Sequence, residues 1–159
     1  MKSHDTVLFV CSGNICRSPF AEGYLRHRLG EGTQIRVTSG GTLGIEGSPA
    51  SPETLRIARE TGFDLTRHRS RGLTLDRVDE ADWVLVMEEG HRRTLSARYP
   101  EDAHKVSLLS AYHPSVRDAE TIPDIFDPIG RPFADFRQCF GLIQASIDGF
   151  LVRELDRRG

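Results

Sequence analysis

The stretch from residue 7 to residue 19 leaves this chain few ways to fold. Val7-Leu8-Phe9-Val10 is a short, unbroken apolar run of the kind that forms a strand buried in a parallel sheet. Cys11-Ser12-Gly13-Asn14-Ile15-Cys16-Arg17 follows it directly, and then Ser18-Pro19, which reads as a helix N-cap with proline at the first helical position. Strand, glycine-containing loop and helix in that order open an α/β fold, which the strand–helix alternation along the rest of the chain extends to three layers, α/β/α, around a four-stranded parallel sheet. Open sheets of this kind place ligands at the carboxyl ends of their strands, where this loop lies.

A loop so placed turns successive backbone N–H groups inward at the positive end of a helix, which suits a phosphate-like dianion. Gly13 and Asn14 are expected to take up the unusual backbone, since both tolerate positive φ better than most residues. Arg17 can contact two oxygens of the anion at once through its planar fork. Cys11, close to a helix N-terminus and a fixed cation, is then expected to favour its thiolate and act as a nucleophile. Ser18 is placed to give that sulfur a hydroxyl donor. Ser12, Ile15 and Cys16 complete the loop.

The rest of the chain alternates strand-like and helix-like stretches. Strands are predicted at 7–10, 34–39, 83–87 and 105–108, and helices at 18–29, 52–61, 90–98 and 133–155. The 159 residues carry no repeat or low-complexity tract and predict a single domain, 1–159, with a real core. A net charge of −2 argues against nucleic-acid binding or a membrane-surface role. No apolar run is long enough to span a membrane, and Met1-Lys2-Ser3-His4-Asp5 leads straight into a strand with no signal peptide in view. The cytoplasm is the expected compartment, and three cysteines suit a reducing one. The six histidines show no metal-ligand spacing, so no metal or other cofactor is expected.

With these residues in place the sequence resembles the low-molecular-weight protein tyrosine phosphatases, whose signature is C-x5-R-S right after a first strand near the N-terminus. The likeness spans nearly the whole chain and includes Thr38-Ser39-Gly40-Gly41-Thr42, His68 in a Leu-Thr-Arg-His-Arg context, and Asp127-Pro128 before the last helix. It implies a phosphatase that forms a cysteinyl-phosphate on Cys11, with Arg17 and the loop amides holding the phosphoryl oxygens and no metal. Phosphorylated protein or peptide would be the substrate, and phosphate or vanadate an inhibitor. The resemblance makes Asp127 the general acid, with Asp124 the close alternative; Phe126 and Ile129 stand where they would shield its carboxyl. It also implies a network joining His68 to Asn14, Ser18 and Ser39 that holds the loop's shape, and a redox pair of Cys11 with Cys16. Cys139 reads as a core thiol.

Substrate choice is divided. Family members acting on phosphotyrosine carry aromatic walls where this chain has Leu43, Ile45 and Ile129. A related branch removes phosphate from arginine, and Asp127-Pro128 followed by one apolar residue and glycine is similar to it. That branch tends to carry threonine at the position of Ile15, which matches the tyrosine type, so protein phosphotyrosine is the expected substrate and phosphoarginine the alternative. An arsenate reductase of the same fold needs resolving cysteines in mid-chain, and none lies between Cys16 and Cys139. A silent oxyanion-binding module would be expected to lack the nucleophile or the acid. The plainer readings are strand packing for Trp83 and solvated faces for Arg67-His68-Arg69-Ser70-Arg71 and His91-Arg92-Arg93.

Overall fold

The computed structural model describes residues 4–156; Met1, Lys2 and Ser3 of the leader reading lie outside them. Four parallel strands, β1 (Asp5–Cys11), β2 (Ile35–Gly41), β3 (Trp83–Val86) and β4 (Val106–Leu108), form one sheet in the order β2-β1-β3-β4. The apolar run 7–10 sits in the middle of it. Val10 faces Gly40 on one side and Val86 on the other, and every residue from Val7 to Val10 is fully buried.

Alternation along β1 divides the core in two. Val7, Phe9 and Cys11 point to the face covered by α1 (Arg17–Leu29), α2 (Pro52–Thr61) and α5 (Phe133–Phe150). Leu8 and Val10 point to the other, with Val84 and Val86, against Val78 of α3 (Leu75–Glu80) and Leu95 of α4 (Glu89–Arg98). In α5 the residues Phe136, Cys139, Phe140, Ile143, Ile147 and Phe150 recur at three- and four-residue spacing and make one buried stripe. Phe140 stacks on Phe20 of α1 with ring centres 4.2 Å apart, which fixes the helix that opens at the loop. Truncating such a buried ring to alanine costs about 3–5 kcal/mol.

The helix predicted over 52–61 has those bounds: Ser51 caps it, accepting from the Thr54 N–H, and Gly62 ends it with φ at 115°. Elsewhere the structure differs. α1 starts two residues earlier than the Ser18 cap implied. Its N-cap is Cys16, with no side-chain cap, and Pro19 falls in the first turn, where an N–H has no partner to lose. The helix predicted to run to 155 is α-helical to Phe150 and then widens into a looser turn, Leu151–Leu155. α3 has no counterpart in the sequence reading, because six residues are too few to show a period; its Thr74 cap is the one local sign. No helix among the described residues is long and apolar enough to cross a membrane.

Candidate active site

The loop between β1 and α1 is shaped by where its carbonyls go. Cys11 O accepts from Thr42 N, Ser12 O from Leu43 N, Asn14 O from His68 Nε2, Ile15 O from Ser51 N and Cys16 O from Phe20 N. In a trans peptide the N–H points opposite to the C=O, so the amides of Ser12, Gly13, Ile15, Cys16 and Arg17 turn the other way. The result is a ring of donors at the start of a helix, with no side chain needed to supply them.

Asn14 pins the ring. Among the described residues it is the non-glycine residue in the left-handed region, with φ at 56°, and it is fully buried. Its side-chain amide donates to Ser18 Oγ (2.8 Å) and Ser39 Oγ (3.0 Å), while its oxygen accepts from Arg71 N (3.0 Å). Those bonds offset the strain of the backbone. Gly13, expected to share that role, does not have a positive φ, and a Cβ there would make only ordinary contacts with Ile15 and Ile45. The glycine that the packing demands is Gly41, where a Cβ would lie 2.5 Å from Ser12 O. β2 passes that close behind the loop. His68 joins the network through the Asn14 carbonyl (2.7 Å), whereas the serines meet the Asn14 side chain.

Ser18, not needed as a cap, places its hydroxyl 2.9 Å from Cys11 Sγ. Arg17 is 1% exposed, and its Nη1 is held by Glu88 Oε2 (2.9 Å) and the Ile125 carbonyl (2.8 Å). Burial works against that guanidinium's charge, but Cys11, Glu88 and Asp127 outweigh it and raise its pKa. Asp127 Oδ2 stands 3.7 Å from Arg17 Nη2, and its Oδ1 accepts from Ile129 N (3.1 Å). The expected shielding of this carboxyl is absent: its side chain is 46% exposed, Ile129 points outward, and Phe126 lies beneath the Arg131 guanidinium. Asp124 is occupied elsewhere, accepting from Glu89 N at the start of α4 (2.8 Å). The three cysteines are unbridged. Burial pushes the Cys16 thiol up to about 12, only partly countered by a hydrogen bond with Thr54, and Cys139 lies in the core. Leu43 and Ile45 line the β2 side of the mouth and Ile129 the Asp127 side, all exposed.

Two residues at the loop escaped the sequence reading. Glu88 and His91 open α4 as a reciprocal cap, and His91, grouped above with a solvated face, is 5% exposed, unlike Arg92 and Arg93. Its Nε2 lies 2.9 Å from Ser12 Oγ. Their local sign was Glu88-x-x-His91 directly after a strand; only the pairing of β3 with β1 brings that spot to the loop.

A family model described as low molecular weight phosphotyrosine protein phosphatase matches residues 6–159. The chain belongs to that family. A low molecular weight protein-tyrosine-phosphatase of Streptomyces coelicolor is 36% identical over 156 residues, covering 93% of each chain. Among solved structures, an arginine phosphatase from Geobacillus stearothermophilus superposes with a TM-score of 0.85 at 33% identity, covering 97% of this chain and 94% of that one. Wzb of Vibrio vulnificus, in complex with benzylphosphonate, gives 0.82 at 29% identity, covering 94% and 98%. In this phosphatase family member the loop, Arg17 and Asp127 thus converge on one mouth.

Proposed function

We propose that this phosphatase hydrolyses phosphotyrosine in proteins through a cysteinyl-phosphate on Cys11. The observation that carries the reading is the convergence of Cys11 Sγ, the outward-turned loop carbonyls and the anchored Arg17 fork, with Asp127 across the mouth. The Cys11 thiolate attacks phosphorus while Arg17 and the loop amides hold the three equatorial oxygens. As the P–O bond breaks, Asp127 gives its proton to the departing phenolate oxygen. Water then attacks phosphorus and loses a proton to Asp127, the P–S bond breaks, and the Ser18 hydroxyl donates to the sulfur anion that departs. Each group ends as it began.

The benzylphosphonate bound by Wzb supports an aryl phosphate as ligand chemistry for this fold. A second reading, phosphoarginine, draws on the exposed aliphatic walls Leu43, Ile45 and Ile129, which offer no ring to stack on a phenol, and on the likeness to an arginine phosphatase. Turnover of p-nitrophenyl phosphate should be lost in Cys11→Ser; persistence would overturn the cysteine mechanism. Phosphotyrosyl and phosphoarginyl peptides compared by kcat/KM should favour the first, and the reverse ranking would assign the arginine branch.

A further inference from the structure

His68 and His91 both grip the loop, the first at the Asn14 carbonyl and the second at the Ser12 hydroxyl, and only the first is expected there from the sequence. His91 lies on α4, buried beside the cradle, and the bonds around it determine where its proton sits. Glu88 N–H donates to His91 Nδ1 (3.1 Å), so that nitrogen carries no hydrogen. The proton is therefore on Nε2, 2.9 Å from Ser12 Oγ and 3.4 Å from Glu88 Oε2. Burial, and then the positive charge of Arg17, press the ring toward this neutral form against the pull of Glu88, Asp124 and Asp127.

Ser12 Oγ is thus an acceptor, and its own hydrogen is left to point away from His91. Ser12 is the residue after Cys11, half-buried at the mouth, and its amide already faces the donor ring. We propose that His91 is a positioning residue: by donating to Ser12 Oγ it aims the Ser12 hydroxyl hydrogen at an oxygen of the bound phosphoryl group, adding a side-chain donor to the backbone ring. The same ring nitrogen lies within reach of Glu88 Oε2, which anchors Arg17, so one imidazole borders both halves of the cradle. The proposal rests on the phosphoryl-binding reading of the site.

Calorimetric titration with inorganic phosphate tests it without requiring turnover. His91→Asn keeps an oxygen near the place of Nδ1 for the Glu88 N–H but ends short of Ser12, whereas His91→Gln reaches Ser12 with an amide N–H. Loss of one hydrogen bond to a charged group corresponds to about a tenfold weaker Kd. His91→Asn and Ser12→Ala should each show that loss, the double variant should bind no more weakly than Ser12→Ala alone, and His91→Gln should recover most of the affinity. Wild-type-like binding by Ser12→Ala overturns the proposal, as do losses that multiply in the double variant. Should His91→Asn unfold, Ser12→Ala with His91→Gln decides alone. A protein that turns over p-nitrophenyl phosphate while Ser12→Ala binds phosphate normally sinks this inference only; one without turnover whose phosphate binding depends on Ser12 sinks the phosphatase reading instead.

Discussion

The loop after β1 and the arm that carries Asp127 meet at Arg17, yet they are built differently. Asn14, Arg17 and Ser18 are at most 1% exposed, and the Asn14 amide, Arg17 Nη1 and the Ser18 hydroxyl all have partners, while the Asp127 side chain is nearly half exposed and meets its own turn and, at 3.7 Å, Arg17. The difference fits the two tasks proposed for them. A dianion is held best by donors that cannot reorganise, because their alignment is already in place when charge develops. An acid must reach a leaving group that comes from solvent and departs to it, and Asp127, the acid proposed above, sits on an open segment next to exposed Ile129.

That contrast can be broken in three places. Asp127→Asn should leave phosphate affinity and folding nearly intact while lowering kcat by about 10²–10⁴-fold on a phenyl phosphate with a poor leaving group. The loss should be far smaller on p-nitrophenyl phosphate, and equal losses on both would remove Asp127 from the role of acid. Asn14→Ala should do the opposite. It keeps a left-handed backbone that alanine resists and strands the partners Ser39, Ser18 and Arg71 N, so denaturant unfolding should show about 1–3 kcal/mol less stability together with weaker phosphate binding. A stable, active Asn14→Ala would mean that the loop does not depend on that one side chain. The smallest effect is expected from Asp124→Asn, which retains an oxygen for Glu89 N–H: under about 1 kcal/mol in stability, with kcat little changed. A large loss of kcat there would transfer the acid from Asp127 to Asp124.

How much of this was legible in the sequence depends on how local each feature is. The buried strand, the loop and the helix after it are contiguous, so apolar run, Gly-Asn and C-x5-R-S-P announce them together. The exact helix 52–61 was equally plain, since Ser51, Pro52 and Gly62 mark both of its ends. Of the two uses that the sequence offers Ser18, helix cap and hydroxyl partner of Cys11, only the second is realised, and the same hydroxyl accepts from Asn14; the cap is lost because the helix opens before Ser18.

From the order of its residues alone this chain determined an α/β sheet with an anion-holding loop, a thiol and a guanidinium at that loop, and the one aspartate-proline pair that could face them. Packing alone decided that Gly41 rather than Gly13 must lack a side chain, that Glu88 and Ile125 fix the Arg17 fork, and that His91 turns inward to Ser12 while its neighbours stay in water. The reason is geometric. A local pattern reports what a residue does to its own backbone, but β3 and the segment before α5 reach the loop only because parallel strands distant in sequence lie side by side, and those contacts exist nowhere until the sheet has formed.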